Sequence, residues 1–271
     1  MQKNIFTILR TVRNRHFLKG FTLVELLVVI TVMAILMAIL MPVLAKVRQQ
    51  SKTILCTGNL RQLAIAAQIY ADNNDDYYPA AYTNDPDPMD SIAVYTYWDF
   101  TQTKNWDTNE KKIKPGLLWQ GETVEKIQQC PSFKGEANSD DPYTGYNYNT
   151  SYIGHGTNEA VAEPVRRSQV KSPQNCAIFG DGEWSSGANK FMRAPKPWEG
   201  DPDNNLKAAG TQGYRHAGRT NVAWCDGHTS SQKELFTETD PEEKEKIEVY
   251  NSTAEIKVGF LSKDNSAYDL E

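Results

Sequence analysis

From Leu26 to Ala45 the sequence runs for twenty residues without a formal charge. No other stretch restricts the possible folds so strongly. At about 1.5 Å rise per residue, a helix of that length covers roughly the 30 Å of a bilayer core. Lipid offers no partner for backbone N–H and C=O groups, so a spanning segment of this kind must be helical. The apolar run begins at Phe21 and is broken only by Thr22, Glu25, Thr31 and Pro42. Two details set it apart from a plain anchor. Glu25 lies inside the apolar segment, where a carboxylate is costly and usually functional. Gly20 lies before the run, whereas a secretory signal places its small-residue cleavage site after it.

The charge is lopsided. Residues 1–20 hold Lys3, Arg10, Arg13, Arg15 and Lys19 and no acid. Those are five of the 29 basic residues, which leaves 24 against all 34 acids in the remainder. Positive-inside asymmetry places the N-terminus in the cytoplasm and the acidic body beyond the membrane, in the periplasm or outside the cell. An acidic body argues against nucleic acid as a partner.

Residues 20–25, Gly-Phe-Thr-Leu-Val-Glu, followed by an apolar helix, resemble the signature of the prepilin family, the type IV pilins and type II secretion pseudopilins. The resemblance implies several things. A membrane prepilin peptidase would cut between Gly20 and Phe21 and methylate the new N-terminal Phe21. Glu25 would pair with the Phe21 amine of a neighbouring subunit. The partners would be other pseudopilin subunits, the peptidase, an inner-membrane assembly platform and the lipid bilayer. The location would be a bacterial inner membrane, crossed once, and a filament after assembly. The competing explanation is a simple signal anchor with an accidental match.

The expected organisation is a cleaved leader over 1–20, a membrane and filament-core helix over 21–45, and an amphipathic continuation over 46–74. The head fills 75–271. Pro42 should kink or loosen the helix near the end of its apolar part. Beyond it, Cys56, Leu60, Leu63, Ala67 and Tyr70 step by four, three, four and three, which is one helical face. The run Asp72 to Asp76 stops the helix. The fold class expected is α+β: a long N-terminal helix packed on an antiparallel sheet, with a loop-rich pilin-like head. Ile92–Trp98 reads as a short helix or strand, and Tyr146–Asn149 as a half-buried strand. Asn175–Gly182 and Asn221–Gly227 are two apolar runs, each ending in the turn signal Asp-Gly, and are read as strands of one sheet. Residues 185–213, rich in Gly, Pro, Asn and Asp, read as a long surface loop. Asp240-Pro241-Glu242-Glu243 reads as a helix start, with a strand near 255–261 after it. Cys56 through Pro79, the Cys130-Pro131 pair and the spacing His216, nine residues, Asp226-Gly227 resemble one branch of pseudopilins.

The four cysteines, Cys56, Cys130, Cys176 and Cys225, all follow the membrane helix, in what should be an oxidising compartment. Three pairings are open. Cys176 and Cys225 hold like places in like strands, which leaves Cys130 for Cys56. A Cys56–Cys130 bridge would close about 73 residues, worth roughly 4 kcal/mol by loop-closure arithmetic. No Cys-x-x-Cys pair occurs, which argues against a structural zinc site.

No cofactor is expected. Asp72 and Asp76, and equally Asp201 and Asp203, are calcium candidates by spacing, though a closing Glu is missing. His216, Asp226 and His228 form a candidate acid–base or metal constellation, against the simpler assignment of Asp226-Gly227 to a turn. No nucleophile elbow accompanies them, so an enzyme is not expected. The function expected is a structural filament subunit for protein export or adhesion. Its rivals are a surface-displayed glycan-binding or adhesion module, suggested by Tyr95, Tyr97, Trp98, Phe100 and Trp106, and a membrane-anchored metal-dependent hydrolase.

Overall fold

The structure, a computed structural model, describes residues 21–86, 91–119, 129–137, 143, 145–155, 163–185, 187–197 and 207–271. The chain divides into two units, residues 1–47 and 48–271. Helix α1 (Leu23–Asn73) contains Pro42 within its bounds. Residues 21–47 are exposed throughout.

Within the second unit α1 is amphipathic. Cys56, Leu60, Leu63, Ala64, Ala67 and Ala71 are buried and Tyr70 is half-buried. That is the expected face, extended by two alanines. Fully burying a leucine such as Leu60 or Leu63 contributes roughly 1.5–3 kcal/mol. The helix ends where the backbone turns left-handed at Asp75 (φ 50°) and Asp76 (φ 69°), a conformation aspartate tolerates. The Asp76 N–H then returns to the Ala71 carbonyl at 3.0 Å.

A four-stranded antiparallel meander follows: β1 (Tyr82–Pro86), β2 (Ile92–Tyr97), β3 (Phe100–Asn105) and β4 (Lys111–Pro115). The strands β5 (Asn147–Asn149), β6 (Ala177–Gly180), β7 (Phe191–Met192), β8 (Gln212–Gly213), β9 (Thr220–Trp224) and β10 (Thr229–Gln232) come next. Helix α2 (Pro241–Thr253) and β11 (Val258–Gly259) complete the chain. The central sheet runs β10-β9-β6-β5-β7, antiparallel except for the β5–β7 pair, and β8 pairs with β11. The fold is therefore α+β, as expected.

The central sheet is covered on both faces. Ile178, Phe179 and Ala223 join Leu60, Leu63, Trp98 and Tyr148 in one core. Ala177, Val222 and Trp224 join Ile247, Val258, Phe260 and Tyr268 in the other. β9 alternates between them as a strand must. β6 has a register shift between Ala177 and Phe179, which lets two successive residues serve the same core. Tyr146–Asn149 is consequently buried rather than half-buried.

The expected surface loop at 185–213 is also corrected. Its described part supplies β7 and β8, and Asn189, Lys190, Met192, Lys207, Thr211 and Gln212 are buried. Buried Lys190 pairs with buried Asp99, which polar composition alone concealed.

The helix start at Asp240 is as read. Asp240 Oδ1 accepts from the Glu243 N–H at 3.0 Å, with Pro241 in the first turn. Asp240→Ala should cost about 1 kcal/mol, seen as a lower midpoint in chemical denaturation. An unchanged midpoint would show that α2 is held by packing alone.

Candidate functional site

At the N-terminus, Phe21 is 74% exposed and Gly20 lies outside the described residues. Thr22 precedes the first turn of α1. Its backbone N–H and its hydroxyl both donate to Glu25 Oε2, at 2.8 and 2.7 Å. The Glu25 N–H donates back to Thr22 Oγ1 at 3.2 Å. This reciprocal pair is a capping box, Thr-x-x-Glu, which satisfies backbone donors that a helix start otherwise leaves open. The Thr-x-x-Glu spacing is visible in the sequence, and it gives Glu25 a role within its own helix beside the intersubunit one that the resemblance implies. Both Thr22 bonds fall on Oε2. Further along, Leu26, Val29, Met33, Leu36, Leu40 and Val43 are each about half exposed or more. Apolar area on that scale requires a cover of lipid or other apolar helices.

In the head, the proposed constellation of His216, Asp226 and His228 is divided. Asp226 and His228 form their own pair at the β9–β10 turn: His228 Nδ1 lies 2.6 Å from Asp226 Oδ1, and both are partly exposed. Gly227 makes that turn at φ 89°, where a side chain would be strained. His216 is instead buried beside Asp181, with Nε2 3.3 Å from Oδ2.

In the sequence Asp181 is half of an Asp-Gly turn signal. It is a fully buried carboxylate at the end of β6. Oδ1 meets Cys56 Sγ at 3.0 Å and Arg215 Nη2 at 3.3 Å. Oδ2 accepts the Asn221 N–H at 2.7 Å. Burial alone would raise its pKa, but Arg215 and His216 outweigh that and hold it below the usual carboxylate range. Arg215 itself is buried. It donates to Glu183 Oε2 at 2.9 Å, the Gly182 carbonyl at 3.2 Å, the Gly145 carbonyl, and Cys130 Sγ at 3.4 Å. Arg215 and Glu183 carried no signal as site residues, because their partners are remote in sequence.

All four cysteines are free thiols, so neither expected disulfide is present. The expected neighbours are nonetheless side by side. Cys56 Sγ and Cys130 Sγ lie 3.4 Å apart. The Cys225 N–H donates to the Cys176 carbonyl at 3.0 Å. A hydrogen bond with Cys225, then burial, raises the Cys176 pKa. Burial raises Cys56 too. For Cys130 burial is overcome by the Cys56 hydrogen bond, the Arg215 charge and His216, and its pKa falls to about 4. Burial lowers the His216 pKa, but Asp181 and Cys130 reverse this and raise it to about 9.

Of the calcium candidates, Asp201 and Asp203 lie outside the described residues. Asp72 and Asp76 both face Arg167, at 2.8 and 3.1 Å, and Asp76 Oδ2 also accepts the Ser168 N–H. Their counter-ion is a guanidinium. In the aromatic stretch, Trp98 packs within the core against Tyr148 and Phe179, and Tyr97 stacks on Phe100. Trp106 is exposed with Lys104 over its ring.

Residues 18–41 match the family model described as the prokaryotic N-terminal methylation motif. With the long apolar helix that follows, this is a prepilin-type N-terminus. Such a motif implies processing by a prepilin peptidase and assembly into pilin-type polymers. No curated protein and no solved structure matches the chain.

Proposed function

We propose that the chain is a non-enzymatic pilin-like subunit of a type II secretion or type IV pilus-like filament, held in the inner membrane by α1 before assembly. One observation carries this: a matched methylation motif coincides with the start of a helix whose apolar residues are exposed on all sides as far as Val47. In the bilayer, lipid covers them. In a filament, the same residues of neighbouring subunits do. One helix thus serves as anchor and as polymer core. The acidic head, with its resemblance to the His-x9-Asp-Gly branch, would lie outside the membrane. The filament's extension or retraction would move exported cargo or mediate adhesion. A surface-displayed binding module remains the second reading, favoured only by exposed Trp106 under Lys104.

Processing tests the leading reading. The mature protein should begin at methylated Phe21, read by mass spectrometry of the native N-terminus. Wild-type protein that retains residues 1–20 would exclude it.

A further inference from the structure

We propose that Cys56, Cys130, Asp181 and His216 form a tetrahedral binding site for a divalent transition metal of the zinc class. The four ligand atoms come from separate segments: the α1 face, the Cys130-Pro131 turn, the end of β6 and the loop before β9. All four residues are buried, and their ligand atoms lie within 4.8 Å of one another. Neighbouring donors are 3.0 Å (Cys56 Sγ to Asp181 Oδ1), 3.3 Å (Asp181 Oδ2 to His216 Nε2), 3.4 Å (Cys56 Sγ to Cys130 Sγ) and 3.7 Å (Cys130 Sγ to His216 Nε2) apart. Metal bonds of about 2.0–2.3 Å in a tetrahedron separate their ligand atoms by roughly 3.3–3.8 Å. The two short contacts to Asp181 use different oxygens. With one oxygen from Asp181 the four ligand atoms still lie within 4.8 Å of one another, so closing the tetrahedron around an ion takes shifts of about an ångström. Two sulfurs, an imidazole and a carboxylate suit zinc, and do not suit calcium or magnesium.

The surrounding groups are arranged as a metal site requires. Thr53 Oγ1 donates to the Gln49 carbonyl at 3.1 Å, so toward His216 Nδ1, 3.2 Å away, it acts as acceptor. Neutral His216 then carries its proton on Nδ1, and the Nε2 lone pair faces the cluster. Each sulfur receives one outside donor: Tyr146 Oη to Cys56 at 3.3 Å and Arg215 Nε to Cys130 at 3.4 Å. The Asn221 N–H fixes Asp181. Gly145, at φ 99°, allows close approach, since an added Cβ would come within 2.6 Å of Cys130 Cβ. Binding releases to solvent the protons that metal-free Cys56 and His216 hold. The ion would tie three distant loops to α1. The absence of any Cys-x-x-Cys pair hid this, because no two ligands are close in sequence.

The test uses the full-length chain in detergent, purified without chelator, with Zn2+ and Co2+ as probes. Expected are about one zinc per chain, a zinc-edge X-ray absorption shell of two sulfurs and two nitrogen or oxygen atoms, and a thiolate charge-transfer band on Co2+ substitution. Cys176→Ser should keep the metal. Cys130→Ser and His216→Ala should reduce it at least about tenfold, since each removes one ligand of four. Should either variant fail to fold, the absorption shell of the wild-type protein decides. A shell without sulfur, or a metal-free native protein whose peptide map shows a Cys56–Cys130 disulfide, would overturn the site.

Discussion

Arg215→Met should destabilise the head by about 3–5 kcal/mol, the usual cost of removing one partner from a buried ionic network. The side chain is 2% exposed and stands between Asp181, fully buried, and Glu183, 7% exposed. Methionine fills much of the same volume, so packing is largely kept. What is lost is charge and hydrogen bonding. Two carboxylates would be left in a low-dielectric interior, and the Gly145 and Gly182 carbonyls would lose their donor. Arg215→Lys should recover only part of the loss. A single ammonium cannot serve five acceptors arrayed around a planar guanidinium. Denaturant unfolding of the full chain in detergent measures both. A loss below about 1 kcal/mol for the methionine variant would show that water or relaxation replaces the guanidinium.

Arg215 also illustrates what the sequence withheld. The α1 stripe was legible because Cys56, Leu60, Leu63 and Ala67 repeat at helical spacing, and a helix is a local object. The β6 and β9 strands were legible for the same reason, each a short apolar run. Asp181 was not. Asp-Gly is a strong local turn signal, and it does end β6, but the use of the carboxylate is set by Cys56, Arg215, His216 and Asn221. Cys56 is 125 residues away. Of the meander, β2 lies in the stretch Ile92–Trp98 that reads as a helix or strand, and the other strands were hidden. Phe100-Thr-Gln-Thr-Lys-Asn105, for example, is polar and mostly half-buried, so the apolar alternation that marks a strand is weak. The 185–213 segment failed in the opposite direction. Some of its polar residues are buried with partners: Thr211 donates to Glu183 O at 2.9 Å, and Asn189 to Thr211 O at 3.1 Å. Composition reports polarity, and only the fold decides whether that polarity is satisfied by water or by protein. The cysteines lie between these cases. Their neighbours were inferred from strand and stripe positions, while the acid, base and guanidinium that share the Cys56–Cys130 site were not.

Glu25 is where local and intersubunit roles must be separated, and two substitutions do so. Glu25→Gln keeps the capping box, since glutamine at that position also accepts the Thr22 N–H, but it removes the negative charge. Thr22→Val does the reverse. It removes the hydroxyl that bonds Glu25, at a cost of about 1 kcal/mol in helix-start stability, and leaves the charge. If the carboxylate serves to meet the Phe21 amine of a neighbour, Glu25→Gln and Glu25→Leu should both be inserted and cut yet form few or no filaments. Thr22→Val should assemble at near wild-type level. The physical reason is the scale of the two effects. An unpaired carboxylate or ammonium in hydrocarbon costs a few kcal/mol per subunit, and that cost recurs at every contact along a polymer. A weakened cap costs less, and only at one fraying end. Thr22 occupies Oε2 alone, so a neighbour's amine can approach Oε1 without breaking the cap. Cross-linking in membranes and electron microscopy of sheared filaments read the outcome. Normal filaments from Glu25→Gln, with defective ones from Thr22→Val, would assign Glu25 to the helix start and remove it from the subunit contact.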